Sequence, residues 1–440
     1  MIDLVAHDDD DDADDTGVTG WMSGLAYKRD RQGNNILKPT LANIVTILAN
    51  DPNWRDVIAY DELGERVCTR RDPPWFSDDC PSNAGPGPWT DADTTRITCW
   101  LARRWPIDVS SAMVGEAITV VAERNTFNEL TEWLSSLRWD GVDRIDTWLP
   151  IYAGTADTDY ARAIGRCWMI AAVGRAFAPG CKADHVIVLE GNQGTGKSTF
   201  VRTLAGRADW FFDDDLEVGD KDAAQSLKGK WVVEFGEMHA MSKAEVTAVK
   251  AFVSRQADTY RASYGRHART YPRRWVAIGT TNAEQYLSDA TGNRRWWPVK
   301  TGALRIPELA DVVGQLWAEA VVRYRKGERW HLEDPAIIAA AAEEQAARLQ
   351  VDPWTDIIAD WLAKPEPRLL VSQTGYVTTR RILEACLAMD ADRIERKHEM
   401  RVGDSLRVLG WTRWKFRNGT RIEWGFRPVP AVSTSEQEGT

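Results

Sequence analysis

The octapeptide Gly191-Asn-Gln-Gly-Thr-Gly-Lys-Ser198 meets the spacing Gly-x-x-x-x-Gly-Lys-Ser. Each residue type in it answers a physical need. Gly191, Gly194 and Gly196 let the backbone fold into a nest whose N–H groups face phosphate oxygens. A helix starting at Lys197 adds its positive N-terminal end. Lys197 is expected to reach the β- and γ-phosphates of a nucleotide, and the Ser198 hydroxyl to ligate Mg²⁺. Asn192, Gln193, Thr195 and Thr199 complete the expected binding segment. The motif has this meaning only between a strand and a helix. His185 to Leu189 is a short β-branched run leading into the glycines, and Lys197 to Leu204 reads as the helix that leaves them.

Outward from this loop, strand and helix signals alternate over residues 146–330, which predicts an α/β core. Trp231-Val-Val-Glu-Phe235 reads as a second strand, and Trp275-Val-Ala-Ile278 as a third that ends at Gly279-Thr-Thr-Asn282. Ser242-Lys-Ala-Glu245 is a capping box opening a helix with Val246, Val249 and Val253 on one face. Val312 to Tyr324 is a further amphipathic helix.

A nucleotide hydrolase needs an acid near Mg²⁺ and the attacking water. Glu237, just past the apolar run of the second strand, is the first candidate, as water activator or Mg²⁺-linked acid. Glu234, inside the strand, is the second; its alternative is an ion pair with a core arginine. Asn282 would orient the attacking water or touch the γ-phosphate, unless it only serves a turn. Arg294 and Arg295, within Gly292-Asn-Arg-Arg-Trp-Trp-Pro298, suggest an arginine finger. The plain alternative is a surface arginine pair.

Composition sets the frame. The chain has 440 residues, enough for two to four domains. Its net charge of -10 comes largely from one place: eight Asp and no Lys or Arg lie in the first 20 residues. The remainder is close to neutral, so local clustering matters more than net charge. Six scattered cysteines without a Cys-x-x-Cys argue against a zinc site or a disulfide framework. Neither a basic-then-apolar leader nor a run of ~18 apolar residues is found. A soluble protein of the cytoplasm, bacterial or of a phage-infected host, is expected. The 22 tryptophans should mostly fill cores and interfaces.

The expected organisation is an acidic disordered tail (1–20), an N-terminal α/β or mostly helical domain (21–145), the α/β core (146–330), a connecting helix (331–351), a C-terminal domain (352–428) and a flexible tail (429–440). Leu41 to Leu48 and about 110–124 carry helical spacing, and Arg71 to Trp89 is loop. In the C-terminal domain, helical stretches at Thr355 to Leu362, Thr379 to Leu387 and about 396–409 precede two aromatic runs joined by Asn418-Gly419. Three helices followed by a hairpin suggest a winged helix.

Two segments carry cation-and-aromatic patterns. Arg255 to Arg274 holds six Arg, one His and one Asp, interleaved with Tyr260, Tyr264, Tyr271 and followed by Trp275. Arg261, Tyr264, Arg266, His267 and Arg269 would line a hairpin tip suited to single-stranded DNA, a solvated basic loop being the alternative. Arg393 to Arg427 holds ten Lys or Arg against four Asp or Glu. Arg413, Lys415 and Arg417 there are expected to meet duplex DNA, with a protein-docking winged helix as the alternative.

Read together, these blocks resemble the virulence-associated protein E family, whose members resemble superfamily 3 helicases of phages and mobile elements. The resemblance covers about residues 21–330. It rests on Leu137-Arg-Trp-Asp-Gly-Val-Asp-Arg-Ile145, the glycine loop, Trp231-Val-Val-Glu-Phe-Gly-Glu237, Lys250-Ala-Phe-Val-Ser254 with Asp258, Arg261 and Tyr264, Gly279-Thr-Thr-Asn282, and Tyr286 to Val299. It implies an AAA+-like P-loop ATPase core, ATP and Mg²⁺ as cofactors, and a homo-oligomeric ring, a hexamer, with ATP between subunits. Lys197, Ser198, Glu237 and Asn282 would act on one face, and Arg294 or Arg295 would come from the next subunit. The basic hairpin would grip a single strand in the pore. The Glu234-x-x-Glu237 spacing departs from the adjacent acidic pair of ring helicases, which leaves the choice of acid open. Many relatives carry an N-terminal primase domain; residues for one are absent here, so a separate primase is expected. The implied activity is a DNA-dependent ATPase and replicative helicase. The alternatives are a replication initiator or loader that binds origin DNA without processive unwinding, and a defence or regulatory ATPase.

Overall fold

The structure is a computed structural model. It describes residues 20–76, 86–214, 216, 218, 222–236, 243–261, 267–287, 293–349, 352–418 and 421–429. The acidic tail, most of the loop after Phe76, Glu237, the Ser242 capping box, Tyr264, Arg266 and Gly292 lie outside the described residues.

The N-terminal part is α/β. Strands β1 (Tyr27–Arg29) and β2 (Asn35–Leu37) form a hairpin. Helix α1 (Leu41–Asn50) starts where the Thr40 hydroxyl accepts the Asn43 N–H and stops at Asp51. Strands β3 (Ile58–Asp61), β4 (Arg66–Thr69) and β5 (Thr126–Phe127) make a sheet in the order β4-β3-β5. Helices α2 (Asp91–Arg104) and α3 (Ser111–Arg124) close over it, with Ile44, Leu48, Trp54, Ile97, Leu101 and Ile118 in one core. The next helix, α4 (Glu129–Ser136), turns Leu130 and Leu134 into a different core, that of the central layers.

Those layers begin with α5 (Trp148–Tyr152) and α6 (Asp159–Phe177). Then follow β6 (Val186–Glu190), α7 (Lys197–Leu204), β7 (Phe211–Phe212), α8 (Ala223–Ser226), β8 (Val232–Phe235) and α9 (Lys243–Val253). An antiparallel pair, β9 (Ala257–Tyr260) and β10 (Arg269–Pro272), precedes β11 (Val276–Thr281), β12 (Trp296–Lys300), α10 (Ile306–Arg325) and α11 (Pro335–Ala347). Five strands form one sheet in the order β12-β6-β11-β8-β7, every neighbouring pair parallel.

A parallel sheet is buried on both faces, so its strands read as continuous apolar runs. The period-2 alternation then sorts each strand between two cores. Ile187 and Leu189, Val232, Val276 and Ile278, and Trp297 and Val299 face one side with α6, α7 and α10. Val186 and Val188, Val233 and Phe235, Ala277 and Trp296 face the other with Val246, Val249, Phe252 and Val253 of α9. The first of these cores is held by indoles that also donate across layers. Trp168 Nε1 donates to the Ala277 carbonyl at 2.8 Å, Trp231 Nε1 to Ala172 at 3.0 Å and Trp317 Nε1 to Leu204 at 2.9 Å. The expectation that the tryptophans are mostly core residues holds for these and for Trp54, Trp148, Trp210, Trp296 and Trp297.

The C-terminal part has four helices before its hairpin, where three were expected: α12 (Pro353–Leu362), α13 (Pro365–Thr374), α14 (Thr379–Ala385) and α15 (Arg396–Val408). The unexpected helix is α13, whose Pro365 sits at its first position, where a missing N–H costs nothing. Strands β13 (Trp411–Asn418) and β14 (Arg421–Pro428) follow, paired antiparallel around the predicted turn. Val377, ahead of α14, bridges Phe426 of β14 through two backbone hydrogen bonds of 2.8 and 2.7 Å. Among the described residues, no helix is long and apolar enough to cross a membrane.

Candidate functional site

The glycine loop leaves the carboxyl end of β6, which lies between β11 and β12. Open α/β sheets collect ligands at such strand ends. The loop's base is fixed on both sides. Gly191 N donates to the Thr281 carbonyl at 3.1 Å, and Thr301, next after β12, returns its N–H and hydroxyl to the Glu190 carbonyl at 2.8 and 2.7 Å. A Cβ at Gly191 would stand 2.6 Å from Thr301 Oγ1, so no larger residue fits without movement. Gly194 (φ +78°) and Gly196 (φ +90°) hold left-handed backbone that side chains disfavour. Gly196 is thereby the N-cap of α7, and Lys197 its first residue.

This turn encloses a cavity of about 320 Å³ lined by residues 193–199 together with Thr280, Thr281 and Asn282. The expected Asn282 is therefore brought to the loop. Lys197 Nζ donates to the Gly191 and Asn192 carbonyls at 2.7 and 2.8 Å, folded back on its own loop. Burial lowers the Lys197 pKa from its ordinary value, and the charge of Glu234 opposes the shift.

Among the described residues, Glu234 is the acid hydrogen-bonded to this loop. Its Oε1 accepts from Ser198 Oγ at 2.8 Å and from Thr280 Oγ1 at 2.6 Å, while Oε2 is buried without a partner. The side chain shares the sheet face of Val232, the face that α7 covers with Phe200 and Val201. Burial raises its pKa; the bonds from Thr280 and Ser198 and the charge of Lys197 oppose this, and Asp213 adds to it. The partners are thus two hydroxyls of the loop and the neighbouring strand, in place of a core arginine. Glu237 lies outside the described residues.

Two residues given no role in the sequence reading join the site. Thr280 orients Glu234. Asp213 follows β7, whose register pairs Phe212 with Val233, so the next position lies beside Glu234. A carboxylate ending an apolar run was the available signal, but a two-residue strand is too short to recognise.

Arg294 and Arg295 lie at the other end of the sheet. They precede β12, whose Trp296 is in register with Val186 at the start of β6. At ~3.3 Å per residue this puts them roughly 15–20 Å from the glycine loop of the same chain. Arg295 Nε binds Asp184 Oδ2 at 3.2 Å, whereas Arg294 is exposed.

The basic hairpin of β9 and β10 leans on the N-terminal part. Arg269 pairs with Glu123 at 3.2 Å and Arg274 with Glu62 at 3.0 Å, while the Tyr260 hydroxyl donates to Glu65. Arg273 is buried against Asp258 at 2.5 and 2.6 Å. With Arg255, 3.8 Å from Asp258, four of the six arginines read as a basic track have carboxylate partners here. Arg261 and His267 are exposed at the hairpin's end. In the C-terminal hairpin Arg413, Lys415 and Arg417 are exposed.

Residues 134–350 match the family described as the virulence-associated protein E-like domain. The chain carries a virulence-associated protein E-like domain. The match takes in the Leu137–Ile145 block, the whole core sheet and α11, and leaves residues 21–133 outside it. Comparison with curated proteins gave no match. Among solved structures, the apo structure of the NrS-1 C-terminal region is 12% identical, with 84% of this chain and 96% of that one covered and a TM-score of 0.47. The A form apo structure of the same region is 10% identical, with 89% and 100% covered and a TM-score of 0.48.

Nucleotide phosphates and Mg²⁺ fit the residues present in this domain. Gly194 and Gly196 line the cavity without side chains, and the orphaned Oε2 of Glu234, the carboxylate that Ser198 bonds, is an acceptor a cation can satisfy.

Proposed function

We propose that the protein is a P-loop ATPase, AAA+-like in its core, that works as a DNA-dependent replicative helicase of a phage or mobile element. The observation carrying this reading is the hydrogen bond from Ser198, which lines the glycine-loop cavity together with Asn282, to the buried Glu234. A loop that only cradles an anion has no need of a buried carboxylate against its serine.

The loop N–H groups and Lys197 would hold the phosphates, and Ser198 with Glu234 would hold Mg²⁺. The ion's contribution is neutralisation of charge on the phosphoryl group. Lys197 must leave the two loop carbonyls to meet a nucleotide, a local rearrangement the exposed loop permits. Asn282 and Glu237 remain the residues for orienting and activating water. Arg294 is exposed at the far end of the sheet, so its use as a finger requires a neighbouring subunit, in keeping with a ring. Arg295 is better explained by Asp184.

DNA would be gripped by the hairpin ending at Arg261 and His267 and by the C-terminal part. There α12, α14 and α15 with β13 and β14 suit a winged helix. The test is ATP hydrolysis with and without single-stranded DNA. Stimulated turnover is expected, falling at least ~10²-fold in Lys197→Ala; full turnover in that variant refutes the site. The basic C-terminal hairpin favours a second reading, an initiator or loader. ATP hydrolysis without strand displacement at saturating protein would support it.

A further inference from the structure

The outer part of the β13–β14 hairpin presents two tryptophans to solvent. Trp414 is 41% exposed and Trp424 is 51% exposed, while most other indoles of the chain are buried or half-buried. The register sets Trp414 opposite Gly425 and Trp424 opposite Lys415, so the two rings stand on opposite faces of the ribbon. Each ring has at least one cation close to it. The Arg427 guanidinium lies 3.5 Å from the Trp414 ring centre, and Arg413 lies 4.3 Å from that of Trp424 with the Lys415 ammonium at 5.9 Å. Beside these cations both rings still keep aromatic surface reachable from solvent.

The ribbon beneath is rigid. Phe416 stacks on Tyr376 at 3.6 Å, Phe426 is buried and doubly bonded to Val377, and Gly425 lies where a Cβ would meet the Val377 carbonyl at 2.9 Å. Residues 411–428 hold five basic residues and one acidic one. Among the described residues, no carboxylate is ion-paired with Arg413, Lys415, Arg417 or Arg427.

We propose that this hairpin binds single-stranded nucleic acid, with Trp414 and Trp424 as base-stacking plates and Arg413, Lys415, Arg417 and Arg427 as phosphate contacts. Stacking needs the π face of an unpaired base, which a closed duplex does not offer. A phosphate backbone matches the charge, and cations already seated over the rings can turn to it without leaving the site. A protein partner would call for a continuous apolar patch, whereas these two rings face opposite ways. The role differs from the duplex contact expected of a winged helix, and it stands independently of the nucleotide site.

The experiment uses the full chain without nucleotide, titrated against fluorescein-labelled (dT)20 and against a 20-base-pair duplex. Trp414→Ala with Trp424→Ala should raise the single-strand Kd at least tenfold and leave the duplex Kd within threefold. The matching pair of Phe substitutions, which keeps an aromatic face, should stay within threefold for both. Photo-crosslinking with bromodeoxyuridine should map to residues 411–428 in the wild type and in Lys197→Ala. A single-strand loss below tenfold, or an equal loss for the duplex, overturns the proposal. Both rings are exposed, so the variants are expected to fold; should the pair melt early, Trp424→Ala alone is read by the same thresholds. ATP turnover on the same samples separates the two readings: it should persist in the Trp variants, and its absence throughout would count against the ATPase alone.

Discussion

Glu234→Gln separates a functional carboxylate from a structural one. The wild-type side chain is 4% exposed, accepts two hydroxyl bonds at Oε1 and has no partner at Oε2. Glutamine keeps the shape and can keep the carbonyl acceptor toward Ser198 and Thr280, while the buried charge is lost. A buried polar atom left unpaired costs about 1–3 kcal/mol, and more when charged. The new amide N–H₂ is itself unpaired, so part of that cost stays and a net gain of about 1 kcal/mol is expected, or ~2–4 °C in Tm. The pH dependence has a definite sign. Burial raises the folded pKa above the ordinary value of a glutamate carboxyl. Between the two values the folded chain holds a proton the unfolded chain has released, so wild-type stability falls as pH rises through that window. The advantage of Glu234→Gln should therefore be present at neutral pH and disappear below pH ~4.5, where the carboxyl is neutral in both states. Metal-dependent ATP hydrolysis should meanwhile drop at least ~10²-fold. Thermal melts across pH and a steady-state turnover assay read both. A Tm lowered by several degrees with turnover retained would mean that Glu234 is a packing residue and the site reading is wrong.

Other perturbations have equally concrete outcomes. Arg295→Ala should cost roughly 1–3 kcal/mol in a denaturant melt, because it leaves the largely buried Asp184 without its partner. Arg294→Ala should leave the melt unchanged and remove hydrolysis; mixed with Lys197→Ala chains it should regain part of it, and the absence of any rescue would argue against a finger supplied between copies. Arg348→Ala should destabilise by about 3–5 kcal/mol. It strips the two bonds of 2.8 and 2.9 Å from buried Glu190, the residue next to the loop; a melt unchanged within 1 kcal/mol would refute the role assigned to that pair.

How legible the site was depended on how local each signal is. The glycine spacing, the strand before it and the helix after it lie within 20 residues, and their bounds agree with β6 and α7 to within a residue. Asn282 was readable because a polar residue ending an apolar strand is itself a local feature. The choice between Glu234 and Glu237 was not local. It depends on which face of the sheet α7 covers, and alternation along one strand cannot reveal that. Helix α6 escaped notice for a related reason: it is buried almost all round, from Tyr160 to Ala176, so it shows no polar stripe. Helix α2 failed the opposite way, with only Ile97 and Leu101 buried in a largely polar run. The carboxylates that engage part of the basic track of 255–274, Glu62, Glu65 and Glu123, lie well over 100 residues earlier and so leave no local signal.

The separation of the two halves of the candidate site along one sheet has a consequence for assembly. The glycine loop, Glu234 and Asn282 sit at the carboxyl ends of the parallel strands, and Arg294 sits at the opposite ends. Two such patches on one chain cannot meet each other, but they can meet on neighbouring copies placed head to tail. A head-to-tail contact is heterologous: every copy gives one patch and receives the other, so the contact repeats until it closes into a ring or runs on as a filament. A two-fold dimer can pair the patches only if one interface spans both, each copy's Arg294 then meeting its partner's loop reciprocally. If Arg294 serves the nucleotide at all, it therefore does so between copies, and the lone chain is the state in which it cannot. Turnover that rises more steeply than linearly with protein concentration would be the kinetic mark of that requirement.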